Sequence, residues 1–300
     1  MIKEGLVVIL VLLIGVSLYL SYIIYLNLYS PPEMFQVSYS DKESSYNSSN
    51  IQFYPNMRYA DREISYSIGQ ECSEENNMEM KKAFYYLENM SVIRFKEKEK
   101  GEITIGCREE ERREGGIIIA GEGGPSSIVN SGLFNIILEG QVLLIHPDSC
   151  GFNVELHELL HALGFDHSDN PKSIMYNLSN CNQVLSKDIV DEINRLYSVD
   201  SLPDLHFSNI SAVKKGSYVH MNISVKNRGL KDSESVKVAL ETDTGENEDF
   251  DFMEIEAGAG RTLFIENLKV SLKTESIRLV IKDGSELDLK NNQAELLVSS

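Results

Sequence analysis

One short run of residues constrains this chain more than any other feature. Segment 157–167, HELLHALGFDH, holds three of the chain's 6 histidines. The leucines within it and just before it recur at helical spacing, so the run predicts an α-helix with one apolar face. Residues four apart stand on the same side of a helix, and His157 and His161 can therefore share one metal ion.

The rest of the run predicts that this metal is catalytic. Glu158 follows His157 directly, so its carboxylate can approach a water on the ion without coordinating the ion. Gly164 permits the left-handed backbone that ends a helix and turns the chain, which brings His167 back as a third ligand. Three neutral imidazoles leave one tetrahedral position open, as in catalytic zinc sites. The alternative is a helix whose histidines make only ordinary hydrogen bonds.

These residues resemble the signature of the metzincin metallopeptidases, H-E-x-x-H-x-x-G-x-x-H with a methionine turn downstream. Within the metzincins the chain is most similar to the matrixins. Ser168 follows the third histidine, and the segment SIMY contains Met175 with Tyr176 directly behind it. The resemblance implies a matrixin-like zinc peptidase domain over residues 56–200, with an α+β fold in which a twisted mixed sheet accompanies the active-site helix.

The same resemblance implies a role for each matching residue. One catalytic Zn²⁺ would be bound by His157, His161 and His167, with Glu158 as the general base, and the supporting residues would be Gly164, Met175 and Tyr176. Met175 would form the apolar floor beneath the metal, although from the residues alone it would simply be a core methionine. Calcium is a further ion that the resemblance allows, and no residue of this sequence is assigned to it.

The N-terminal region predicts a membrane anchor. Between Gly5 and Tyr29 the only strongly polar side chain is Asn27, and the run exceeds the roughly 20 residues that a helix needs to span a bilayer. We expect a transmembrane helix over 5–29, with the bulk of the chain outside the cell membrane as a single-pass protein. A cleaved signal peptide is the alternative, but its apolar region is usually shorter. The Ser- and Asn-rich residues 30–55 predict a flexible stalk.

The C-terminal third has a different character. Residues 203–300 contain six or seven short alternating segments separated by Gly, Asn, Asp and Glu clusters, which predicts a β-sandwich. The segments PDLHFSNI, ISVKNRG and KDGSELDLKNNQAEL resemble the cell-adhesion-related domains of prokaryotic surface proteins. That resemblance implies an immunoglobulin-like sandwich, which would serve as a spacer or bind a substrate or surface.

The four cysteines contain no C-x-x-C pair, and their spacing argues against a zinc ribbon. Four cysteines allow three disulfide connectivities, and four free thiols are a further alternative. The metzincin resemblance implies that the strands ending near Cys72 and Cys107 lie side by side and parallel. We therefore expect Cys72 to pair with Cys107, and Cys150 to pair with Cys181 across the metal site.

The predicted function is that of a membrane-anchored, extracellular zinc endopeptidase acting on protein or peptide substrates. With 46 acidic against 28 basic residues the formal charge is −18, which repels phosphate backbones and excludes nucleic acid as a partner. One alternative is an adhesion or structural surface protein whose peptidase fold no longer cuts. Another is hydrolysis of a non-peptide amide by the same zinc chemistry.

Overall fold

The computed structural model describes residues 2–29, 31–40, 50–108, 112–114, 117–145, 150–282 and 284–299. Its α-helices are α1 (Ile2–Tyr29), α2 (Glu74–Met90), α3 (Asn153–Ala162) and α4 (Lys187–Leu196), and a short 3-10 helix spans Leu289–Asn291. The strands are, in chain order, β1 (Glu33–Tyr39), β2 (Met57–Tyr59), β3 (Glu63–Ile68), β4 (Arg94–Glu97), β5 (Ile103–Cys107), β6 (Arg112–Glu114), β7 (Ile117–Ile119), β8 (Gly121–Asn130), β9 (Asn135–Leu144), β10 (Leu205–Lys215), β11 (Tyr218–Asn227), β12 (Val236–Thr242), β13 (Asn247–Met253), β14 (Gly260–Lys269), β15 (Ser276–Lys282) and β16 (Gln293–Val298).

The first sheet has six strands. Five of them run parallel in the order β2-β9-β5-β3-β4. The sixth, β8, pairs antiparallel with β9 on the side of β9 that faces away from β2 and β5. Parallel neighbours need a long crossover connection, and α2 supplies it between β3 and β4. Strand β8 pairs only with β9 among the described strands, so its outer side is an edge of the sheet.

Helix α2 follows from its sequence. The Ser73 hydroxyl accepts a hydrogen bond from the Asn76 amide at 3.1 Å and caps the helix. Residues at helical spacing on one face are buried: Met80, Ala83, Phe84 and Leu87. Helices α3 and α4 bury their own apolar faces in the same core. The first sheet and these three helices therefore share one hydrophobic core.

The second sheet has eight antiparallel strands in the order β13-β12-β15-β16-β1-β10-β11-β14. Its strands alternate buried and exposed residues, as in β11, where Val219, Met221, Ile223 and Val225 are buried. Strand β1 lies in the middle: Glu33 and Met34 pair with β10, and 35–39 pair with β16. This strand joins two groups of C-terminal strands into one curved, nearly closed sheet.

The two sheets contact each other directly. Phe134, Ile136 and Leu230 form a small buried apolar cluster between them. At its rim the Ser131 hydroxyl donates to the Arg228 carbonyl at 2.9 Å. The first sheet with its helices and the second sheet are therefore joined by a packed apolar contact in addition to the polypeptide chain itself.

The fold-class prediction is wrong. The expected architecture is an α+β catalytic domain followed by a two-sheet, immunoglobulin-like sandwich, whereas the described chain is mostly sheet and has one nearly closed antiparallel sheet. The physical cause of the difference is β1. Alternating residues in 203–300 predict strands but not their partners, and the partner that joins the two groups comes from 33–39, far upstream in the sequence.

The predicted transmembrane anchor also requires correction. The apolar N-terminal run forms helix α1, but within the described residues no helix combines the length and apolar character needed to cross a membrane. Neither the span at 5–29 nor the single-pass, extracellular location that depends on it is supported. The stalk expected at 30–55 differs as well, because 33–39 is a paired strand; 41–49 lie outside the described residues.

Candidate metal centre

Helix α3 carries two of the three clustered histidines and ends in a tight turn. The Gly164 amide donates to the His161 carbonyl at 2.9 Å, and the Phe165 amide donates to the Leu160 carbonyl at 3.0 Å. These two bonds form a Schellman cap. Gly164 has φ +93°, a conformation that glycine adopts at no steric cost. The chain therefore turns back where the sequence predicts, and His167 follows the turn.

The turn brings three imidazoles together. Nε2 of His161 lies 3.0 Å from Nε2 of His157 and 3.2 Å from Nε2 of His167. Nδ1 of His157 lies 2.6 Å from the Ile174 carbonyl oxygen, and Nδ1 of His161 lies 2.8 Å from that of Phe165. Because a carbonyl oxygen only accepts, the Nδ1 atoms of His157 and His161 carry the protons, and the Nε2 atoms of these two rings present their lone pairs to each other. Lone pairs this close repel one another unless a cation lies between them.

This donor set fits zinc. Imidazole nitrogens at about 2.0–2.1 Å from a tetrahedral Zn²⁺ lie about 3.3 Å from each other, close to the separations observed here. The three ligand atoms all lie within 4.8 Å of one another. His161 is buried, His157 is half-buried and His167 is exposed, so the cluster is closed on the helix side and open on the other.

Burial dominates the titration of the site. It lowers the pKa of His157, and together with the neighbouring His157 it lowers the pKa of His161 to about 4. These two imidazoles are therefore neutral at pH 7, the form that binds metals. Burial also raises the pKa of Glu158 to about 8, with smaller contributions from the carboxylates of Glu122 and Glu155. A cation held by the histidines would oppose that rise.

Strand β8 passes very close to α3, and the sequence pattern did not identify the residues responsible. A Cβ at Gly121 would lie 2.7 Å from Cγ of Glu158, and one at Gly123 would lie 2.2 Å from the Glu158 carbonyl oxygen. Only glycine permits this approach. Glu122 lies between them and forms an ion pair with Arg112. The run GEGG is the signal that could have revealed this contact.

The predicted site residues either line one cavity or lie directly behind its lining. The cavity has a volume of about 440 Å³ and is lined by Ile119–Gly123, Val154, His157, Glu158, His161, His167 and 176–179. Tyr176 is part of its wall. Met175 is 1% exposed, lies in the core, and its carbonyl accepts from the Ser168 amide at 2.8 Å. Met175 and Gly164 thus lie behind the cavity wall. The three histidines, Glu158 and Tyr176 line the cavity.

The structure contains two disulfides, and they join the two pairs of cysteines that the sequence analysis predicts. Cys72 bonds to Cys107 with the Cα atoms 5.0 Å apart, and Cys150 bonds to Cys181 with the Cα atoms 4.7 Å apart. The first pair joins the loop after β3 to the last residue of β5, and β3 and β5 are parallel neighbours. The second ties the chain before α3 to the chain after Tyr176, so it spans the metal centre.

A comparison with known protein families agrees with this geometry over about fifty residues around the metal centre. The matrixin family model matches residues 148–198, a segment that contains α3, the three histidines and α4. No curated protein matches the chain. The family match and the histidine cluster together support a matrixin-like zinc site.

Proposed function

We propose that this chain is a zinc-dependent endopeptidase whose catalytic unit lies within residues 56–200. The observation that carries the proposal is the convergence of three imidazole Nε2 atoms beside the buried carboxylate of Glu158, in one cavity that is open to solvent. The matrixin family match covers the same residues. Of the functions that three histidines and a carboxylate can serve, metal-assisted hydrolysis uses all four groups.

Each residue has a distinct task in this proposal. His157, His161 and His167 would hold Zn²⁺ through Nε2, and the backbone carbonyls of Ile174 and Phe165 fix two of the rings. Zinc held there would supply Lewis acidity toward a carbonyl and would activate a water. Glu158 is placed to take up a proton beside the metal and would pass it to the leaving amine. Burial raises the pKa of Glu158 in the metal-free site. A cation held by the histidines would lower that pKa, which would leave the carboxylate ionised and able to accept a proton near neutral pH.

The shape of the site favours an extended peptide as the substrate. The cavity lies between α3 and β8, and β8 is an edge strand of the first sheet among the described strands. An edge strand presents unpaired amide and carbonyl groups that can pair with an extended chain. Tyr176 and the three residues after it form the opposite wall. A peptide bond held along β8 would therefore pass over the histidine cluster.

Glu158→Gln tests the assignment of the base. The zinc-loaded full chain should lose about 1,000-fold or more in cleavage of a mixed peptide library, because the amide cannot accept the proton. Zinc content should stay near that of the wild type, because Glu158 holds protons and not the ion. Glu155→Gln is the matched control: Glu155 is on the same helix and equally buried at 6% exposure, but it does not line the cavity.

Three outcomes would contradict parts of the proposal. Retained cleavage in the Glu158→Gln variant would remove Glu158 from the mechanism. Cleavage of simple amides but of no peptide would indicate the amidase alternative. Stoichiometric zinc with no hydrolysis of either class in the wild type would indicate a structural site.

A further inference from the structure

Residues 51–53, which lie shortly before β2, contact the metal-binding turn that follows α3. Gln52 and Phe165 form an isolated antiparallel bridge. The Phe53 amide donates to the Gly164 carbonyl at 3.0 Å, and the Asp166 amide donates to the Ile51 carbonyl at 3.0 Å. The main chain of 51–53 thus pairs with the turn that separates the second histidine from the third.

The side chain of Gln52 holds this segment in place. Gln52 is 7% exposed; its Nε2 donates to the Met57 carbonyl at 2.7 Å, and its Oε1 accepts from the Met57 amide at 3.2 Å. Met57 is fully buried, and a Cβ at Gly164 would lie 2.6 Å from the Met57 Cγ and Sδ atoms. Gln52 thus fixes the segment to Met57, and Met57 packs directly against the turn at Gly164.

The ring of Phe53 lies on the imidazole of His161. The two ring centroids are 5.6 Å apart and the planes differ by 20°, a stacked arrangement. His161 is 5% exposed and its Nδ1 is already held by the Phe165 carbonyl. The hydrogen bond restricts rotation of the imidazole within its plane, and the stacked ring restricts tilt out of that plane.

Packing in the core does not account for Phe53. Within the described residues Phe53 does not belong to the hydrophobic core cluster, and the residue is 38% exposed. Its neighbour Ile51 does pack against that core. An aromatic side chain that is outside the core and stacked on a metal-binding histidine is placed to restrain that histidine.

We propose that Phe53 is a positioning residue for His161, and that the segment Ile51–Phe53 braces the turn that carries His167. This inference rests on the proposed metal site but not on peptide hydrolysis. Groups that orient metal ligands typically change metal affinity by about 10–100-fold when they are removed. Phe53 acts on the second histidine through its ring, and the backbone of 51–53 acts on the third through the turn.

Zinc affinity and cobalt absorption of the full chain test this inference. Phe53→Ala should weaken Zn²⁺ binding by about 10-fold in chelator competition, and should change the visible absorption bands of the Co²⁺-substituted protein. Phe53→Tyr keeps the ring and should restore both values. Tyr54→Ala is the matched control, because Tyr54 is the adjacent aromatic, is 55% exposed, and has no ring contact with a histidine among the described contacts. It should leave zinc affinity within about twofold, as expected away from the ligand shell.

Phe53→Leu separates stacking from burial and provides a second variant if the alanine variant does not fold. It keeps most of the apolar volume but has no planar ring, so zinc affinity should still fall and the cobalt spectrum should still change. Wild-type affinity and spectrum in Phe53→Leu would overturn the inference, as would equal losses in Phe53→Ala and Tyr54→Ala. Because both readouts need no substrate, a protein that binds zinc but cuts nothing would defeat the proposed function and leave this inference standing.

Discussion

The metal centre and the second sheet are built in opposite ways. The centre takes its three histidines from one continuous segment, 157–167, and its helix cap from Gly164 within that segment. The second sheet pairs Glu33 with Lys214 and Phe35 with Val298. The metal-binding residues are therefore close together in the sequence, whereas the second sheet depends on contacts between residues near the two ends of the chain. Damage to one region should leave the other largely intact.

Removal of one ligand gives the largest expected effect. His161→Ala should weaken zinc binding by about 1,000-fold or more and abolish activity, because two imidazoles form a poor site. The second sheet should keep its circular dichroism and its protection from hydrogen exchange. His220→Ala, an exposed histidine on β11, is the control and should retain zinc. Loss of protection in β10–β16 in the His161→Ala variant would break the separation between the regions.

Removal of the disulfide across the metal centre should be next in size. The Cys150→Ser/Cys181→Ser variant should unfold with a free energy lower by about 3–4 kcal/mol, because the bond closes a loop with a separation of 31 residues. Cys72→Ser/Cys107→Ser is a close match, with a separation of 35 residues. Urea denaturation should give similar losses for both. Zinc affinity should fall only in the first variant, and an equal fall in the second would contradict a local role for the Cys150–Cys181 bond.

The metal-free protein should lose stability in acid through its histidines. Burial depresses the pKa of His161 from 6.5 to about 4 in the folded protein, so the unfolded chain takes up a proton first. This contribution to stability is present above pH 6.5 and falls by at most about 3 kcal/mol as the pH drops towards 4. The difference in unfolding free energy between wild type and His161→Gln should narrow over that range. A difference independent of pH would contradict the depressed pKa.

The contact between the two regions should have a smaller effect. Gly258 has φ +79°, and a Cβ there would lie 2.8 Å from the Asn130 carbonyl oxygen and 2.8 Å from Cγ1 of Val129 in the first sheet. Gly245 has φ +95° and open space around it. Gly245→Ala should cost roughly 1–2 kcal/mol from backbone strain alone, and Gly258→Ala about 1 kcal/mol more from the steric clash. Equal losses in thermal unfolding would show that the contact between the sheets is loose.

A surface ion pair outside both regions should matter least. Lys187 and Asp191 form an exposed i,i+4 pair on α4, with side chains 86% and 59% exposed. Lys187→Ala should change the unfolding free energy by less than about 0.5 kcal/mol, because solvent and salt screen such pairs. A larger change in urea denaturation would mean that the exposed face of α4 also contributes to the stability of the core around the first sheet.

The same contrast explains what could be predicted from the sequence. His157, His161 and Gly164 lie within one helix and its cap, and His167 follows directly after the cap, so spacing along the chain determines their positions in space. The glycines of β8 and the ring of Phe53 reach the site from remote parts of the chain, so no local spacing indicates their contacts with Glu158 and His161. The C-terminal strands were recognisable by alternation, but alternation carries no information about which strands are neighbours.

The central position of β1 has a consequence for how the protein is made. Its two partners, β10 and β16, are synthesised long after it, and residues paired between β1 and β16 lie up to about 260 positions apart. At roughly 5–20 residues per second, β1 leaves the ribosome roughly 10–50 seconds before β16. The metal centre can fold on the emerging chain once α4 is complete. Residues 33–34 can pair with β10 once that strand has emerged, but residues 35–39 have no partner strand until translation has reached β16.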